Sequence, residues 1–214
     1  MSGTLTEAEL ALAFRRVKGV PFHVAIKALT GCEAIAIDPA DGRDQALVNK
    51  LATVGAAVAD AVKLKPIVRN RPNEVGNDIE AYIMAALDNV GLNASRPRSK
   101  AGRGQSSGYP DILVTEPDGR PTYLEAKTFS EATAQSPFRS FYLSPSENPK
   151  VSQNARHLLI GFEMVITPKT GGVDEYRANG FKLVDLYNLP CDVKHEFNSS
   201  NRQLYSGAKL LAHG

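Results

Sequence analysis

Two short stretches held apart by a turn constrain this chain most: Pro110-Asp111 and Glu125-Ala126-Lys127. Residues 108–114 read as a polar turn running into an apolar strand, residues 116–121 as a turn, and residues 122–128 as the returning strand. Side chains two apart on a strand share a face and lie about 7 Å apart. Glu125 and Lys127 therefore point one way and Ala126 the other. A neighbouring strand that begins at Asp111 brings a second carboxylate beside them. Two carboxylates and an ammonium at one sheet edge can hold a hard divalent cation and a water against a phosphate. Apolar flanks predict that both strands are central and buried, and buried ionisable groups need a balancing charge, which a metal supplies.

These residues resemble the PD-(D/E)xK nucleases, and within them the type II restriction endonucleases. An apolar triplet follows Asp111, Tyr123-Leu124 precedes Glu125, and the resemblance covers residues 73–163, less than half of the chain. Residues 140–146 and 155–162 are also similar to restriction-enzyme sequence. The resemblance implies a mixed central β-sheet flanked by helices, with the site where two strands diverge. It implies Mg²⁺ held by Asp111 and Glu125, with the backbone carbonyl of Ala126 as a third oxygen, and Lys127 orienting the attacking water. In-line attack on double-stranded DNA would leave a 5′-phosphate. A palindromic target would suit a twofold homodimer, and a cognate DNA methyltransferase would be its functional counterpart rather than a bound partner.

Singly, each residue has a plainer account. Asp111 after Pro110 is also an ordinary turn residue, and Glu125 with Lys127 an ordinary surface pair. Pro117-Asp118 repeats the motif, but Asp118-Gly119 falls at the turn, away from the face of Glu125. Three alternatives stay open at this level: a repair or structure-directed nuclease with the same core, a non-catalytic DNA-binding module of the same fold, and a metal enzyme acting on a small phosphate. The intact Asp111, Glu125 and Lys127 set argues against the second, and a long basic loop against the third.

That loop spans residues 95–108, between a helix and the hairpin. It is read as mobile and without an apolar anchor. Arg96, Arg98, Lys100 and Arg103 are candidates for phosphate contact, and Gln105, Ser106 and Ser107 complete the DNA-contacting set, with Gln105 or an arginine able to reach base edges. The preceding helix is expected to start with Asn73 as N-cap, to bury Val75, Ile79, Tyr82, Ile83, Ala86, Leu87 and Val90, and to end at Gly91. Glu80 falls at the edge of that stripe, and the resemblance implies a glutamate there that joins the site; a solvated helix glutamate is the plainer reading.

Residues 1–65 read as helical, a subdomain or subunit interface, and residues 66–214 as the nuclease core with its recognition loops. Thr6 and Glu9 form a capping box; residues 22–29 form a short helix stopped by Gly31; Leu47, Leu51, Val54, Val58 and Val62 stripe a longer helix starting near Asp44. Lys63, Lys65, Arg69 and Arg71 mark a basic connecting segment. Downstream, the Phe-Tyr-Leu of residues 141–143 suggests a strand, residues 157–166 a buried strand, residues 168–172 a turn and residues 181–187 another strand. His157 reads as a structural residue, and the polar residues 198–203 suit either a recognition loop or a solvated end. A net charge of +2 leaves DNA binding to be argued from where the charges lie. Cys32 and Cys191, with no metal-ligand spacing, are expected to be thiols. No apolar run reaches the ~20 residues of a membrane span, and no signal-peptide pattern is seen, so a cytoplasmic protein is expected. The order of elements indicates α/β or α+β.

Overall fold

The computed structural model of the chain describes residues 6–13, 17–104, 108–136 and 141–194. Its elements begin with α1 (Glu7–Ala13), β1 (Val20–Pro21), α2 (Phe22–Thr30), β2 (Ala34–Ile35) and α3 (Gly42–Leu64). They continue with β3 (Ile67–Arg69), α4 (Pro72–Asn89), β4 (Asn93–Ser95), β5 (Ile112–Thr115) and β6 (Pro121–Phe129). A short 3-10 turn at Glu131–Thr133 precedes β7 (Ala155–Lys169), β8 (Val173–Asp185) and β9 (Pro190–Cys191).

The chain divides into two units, one of residues 1–20 with 190–214, the other of residues 21–189. In the first, Thr6 and Glu9 make the expected capping box: the Thr6 N–H donates to Glu9 at 2.8 Å and the Glu9 N–H to the Thr6 hydroxyl at 3.3 Å. The second holds a mixed sheet in the order β3-β8-β7-β6-β5-β4, with β2 beside the start of β7. β6 and β7 run parallel, as do β2 and β7; the other pairs are antiparallel. A bulge between Glu163 and Met164 shifts the β7–β8 register, the irregularity that lets a long hairpin bend.

The helices cover the sheet with the stripes read from the sequence. Leu47, Leu51, Val54, Val58 and Val62 of α3 and Val75, Ile79, Ile83 and Leu87 of α4 are fully buried against Leu124, Leu158, Ile160 and Phe162. Gly55 permits the close approach of α3 to β8: a Cβ there would sit 2.4 Å from the Phe181 ring. α2 stops where Gly31 turns left-handed at φ 78°. The start of α3 is capped by Asp41, which accepts the Arg43 N–H at 2.8 Å. Asp44 instead points inward, where Arg120 reaches it at 3.0 Å and Arg156 also pairs with it.

Several local expectations are corrected. Arg71, in extended conformation and without a side-chain capping bond, precedes α4, with Pro72 in its first turn, so Asn73 lies inside the helix; proline's fixed φ suits that position. The basic connecting segment contains strand β3, held by pairing with β8 rather than by any local apolar pattern. Phe141, Tyr142 and Leu143 form no strand. The turn between β7 and β8 narrows to residues 170–172, because Pro168 and Lys169 still pair with Asp174 and Val173. Cys32 and Cys191 are thiols. Among the described residues no helix is long and apolar enough to cross a membrane.

Candidate active site

The site lies where β5 and β6 part. Ile112, the first residue of β5, pairs with Leu124, whereas β6 runs on to Phe129 with β7 alone beside it. Beyond Leu124 the β6 edge has lost its ladder partner, and side chains take over. The Asp111 carboxylate accepts the Ala126 N–H at 2.9 Å. In a strand the N–H and C=O of one residue face the same edge, so the Ala126 carbonyl opens toward Asp111 as well. There it receives the Lys127 ammonium at 3.2 Å.

Glu125 and Lys127 share a face, as the two-residue repeat requires, and their side chains are paired. Glu125 is 4% exposed. One of its oxygens, Oε2, is buried with no hydrogen-bond partner among the described residues. Burial and the charge of Asp111 push the Glu125 carboxyl up to about 7, with Lys127 opposing. The Lys127 side chain keeps 28% of its surface in solvent.

Glu80 projects from α4 toward the same place. Burial, then the charge of Asp111, hold its carboxyl above the usual range, with Arg96, Lys150 and Lys127 opposing. Arg96 lies 3.4 Å away, a long ion pair in which Glu80 is 18% exposed. The helix-edge position read from the sequence therefore does bring this carboxylate toward the hairpin.

Among the described residues no three acidic, histidine or cysteine side chains are gathered closely enough to hold a metal by themselves. The oxygen donors nonetheless suit a hard cation. Asp111 and Glu125 supply carboxylates, Ala126 a carbonyl, and the orphaned Glu125 Oε2 lacks the partner that a buried polar atom demands.

The basic loop differs from expectation. Arg98 bridges to Gly104, the Ser99 N–H donates to the Arg103 carbonyl at 2.9 Å, and the Lys100 N–H donates to the Pro149 carbonyl at 3.0 Å. Pro97 and Ser99 are buried while Arg96, Arg98, Lys100 and Arg103 are exposed. The loop is thus anchored by alternate residues that turn inward, a strand-like alternation hidden by its small and basic composition. Gln105, Ser106 and Ser107 lie outside the described residues, as do residues 137–140 and 198–203.

His157 lies within a cluster of aromatic rings. It is 1% exposed, packed among Phe22, Tyr109 and Tyr123. Burial pulls its pKa down to about 3, and its Nδ1 is hydrogen-bonded with the Tyr109 hydroxyl at 2.6 Å.

Lys150, to which the sequence analysis assigns no role, also borders the candidate site: it is 5% exposed, and its ammonium donates to the carbonyls of Gly108 at 2.7 Å and Pro110 at 3.1 Å. Only its adjacency to Val151, which is buried, hinted at this in the sequence.

Residues 15–208 match the model of the type II restriction enzyme MjaV family. A curated relative, the type II restriction enzyme MjaV of Methanocaldococcus jannaschii, is 37% identical over 214 aligned positions, covering 93% of this chain and 90% of the relative. The chain belongs to the type II restriction enzyme MjaV family.

Proposed function

We propose that this protein is a sequence-specific restriction endonuclease that hydrolyses phosphodiester bonds of double-stranded DNA at the β5–β6 junction, leaving 5′-phosphates. The observation that carries the assignment of the site is the convergence of Asp111, Glu125 and Lys127 at that junction, in a chain of this family. A divalent cation, Mg²⁺ in this reading, would be held by Asp111, Glu125 and the Ala126 carbonyl, and would supply Lewis acidity at the phosphate and a more acidic water.

The chain's own residues do the rest. Asp111, pinned by the Ala126 N–H, presents its other oxygen in a fixed direction. Glu125 contributes its unpartnered oxygen from a buried position. Lys127, whose side chain is partly exposed, orients the attacking water and offsets the charge that develops on the phosphoryl oxygens. Glu80 adds negative charge from the helix side and pairs with Arg96, the first cation of the basic loop. Arg98, Lys100 and Arg103 remain exposed for the DNA backbone, with Gln105, Ser106 and Ser107 next in the chain.

A twofold homodimer that places one site on each strand of a palindromic sequence fits this reading, with the helical region 1–65 contributing to the subunit contact and residues 66–214 forming the catalytic part. A cognate methyltransferase and a cytoplasmic location, where the DNA is, go with it.

Digestion of several sequenced DNAs with Mg²⁺ and with EDTA tests the proposal. Discrete metal-dependent fragments are expected, and sequencing their ends gives the site and the phosphate position. A metal-dependent smear would instead indicate a structure-directed or repair nuclease, and binding without cleavage a non-catalytic module.

A further inference from the structure

The Lys150 ammonium enters the protein just ahead of β7 and donates to two carbonyls, those of Gly108 and Pro110, in the three residues before Asp111. Burying an ammonium on neutral partners alone is costly. Its compensating charges are the carboxylates of Asp111, Glu125 and Glu80, which oppose the downward pull of burial on its pKa.

The backbone around Lys150 is pinned on two sides. The Pro149 carbonyl accepts the Lys100 N–H of the basic loop at 3.0 Å. The Tyr123 hydroxyl, two residues before Glu125, donates to the Lys150 carbonyl at 3.4 Å and receives the Ser152 N–H at 3.1 Å. Lys127 is committed to Glu125 and to the Ala126 carbonyl, so it does not serve the Asp111 segment.

We propose that Lys150 is a positioning residue of this site: its ammonium clamps the Gly108 and Pro110 carbonyls and so aims the Asp111 carboxylate. The inference rests on the function proposed above. Lys150 acts through Asp111 and does not touch the substrate.

The test compares Lys150→Met, Lys150→Arg and Asp111→Asn with the parent. It uses single-turnover cleavage of a short duplex at saturating Mg²⁺, and hydrogen exchange of the Ala126 amide in metal-free protein. In Lys150→Met the cleavage rate is expected to fall about a hundredfold, the cost of misplacing a reacting group by about 1 Å. Exchange of the Ala126 amide, whose acceptor is Asp111, is expected to speed up roughly tenfold as that bond loosens. Lys150→Arg, which keeps the charge, is expected to recover part of both.

A parental rate, or parental exchange at Ala126, in Lys150→Met overturns the proposal, as does an arginine variant no better than methionine. Should the methionine variant fail to fold, Lys150→Gln replaces it, keeping a donor without the charge. A chain that folds with none of the three substitutions marks a purely structural lysine and also overturns it. Asp111→Asn separates the two readings. If it still cleaves, the site itself is wrong; if it is inactive while Lys150→Met is fully active, only the role of Lys150 falls.

Discussion

The Asp111 carboxylate is tied to the Ala126 N–H by a 2.9 Å hydrogen bond that stands in for a missing ladder pair at the β5–β6 junction. One proposed ligand is thereby held by the backbone of the strand that carries the next. Asp111→Asn keeps an acceptor oxygen for that N–H, whereas Asp111→Ala leaves it unpaired at a cost of about 1 kcal/mol. Both are expected to lose cleavage by roughly a thousandfold or more, but only the alanine variant should lose stability. Urea unfolding beside a cleavage assay checks this; full activity in Asp111→Ala and in Lys127→Ala would sink the site assignment.

Glu125 gives a pH signature. Its carboxyl, pushed up to about 7, holds its proton more tightly in the folded chain than at the ordinary value of 4.5. Folding is therefore free of this penalty below about 4.5 and loses stability as pH rises towards about 7. Glu125→Gln removes the penalty, so in EDTA at pH 8 the variant should exceed the parent by on the order of 2–3 kcal/mol. At pH 4 the gain should vanish. Denaturation at both values checks the sign, and equal gains at both would contradict it. Cation binding must displace the same proton, so apparent affinity should climb with pH up to about 7 and then level off.

Replacing Arg98 and Arg103 together should weaken DNA binding uniformly across sequences. Each phosphate contact contributes about 0.9 to the slope of log affinity against log salt, so the slope should fall by about 2. Fluorescence anisotropy at several salt concentrations measures it. An unchanged slope would show that these exposed cations do not meet phosphates.

Packing predicts a stability effect remote from the site. In Gly55→Ala the new methyl would sit 2.4 Å from the Phe181 ring, which must move. A cost of about 1–3 kcal/mol is expected for such overpacking, or several degrees of Tm in a chain of this size. Gly55→Ala combined with Phe181→Leu should lose less than the sum of the single changes. Strict additivity would show that the two residues do not press on one another.

The hairpin was legible because its signals are local. Asp111, Glu125 and Lys127 sit where the two-residue repeat of a strand and the turn at Gly119 put them, and Glu80 falls on the helix edge that a 3.6-residue repeat assigns. The buried stripes of α3 and α4 were legible for the same reason. The basic loop was less so: buried Pro97 and Ser99 carry no apolar signature, and the Lys100–Pro149 bond that anchors the loop joins positions far apart in the chain.

By itself the sequence determined which residues share a face and where the chain turns, since backbone sterics and side-chain periodicity act over a few residues. Only the tertiary structure decided what stands opposite each face. Parallel pairing of β6 with β7 brings the chain just ahead of β7 back to the hairpin, and with it Lys150 under the carbonyls before Asp111. It likewise turned Asp44 from a helix start into the buried partner of Arg120 and Arg156. Buried charges are held by partners distant in sequence, and which charge meets which is settled when the sheet closes rather than by any local pattern.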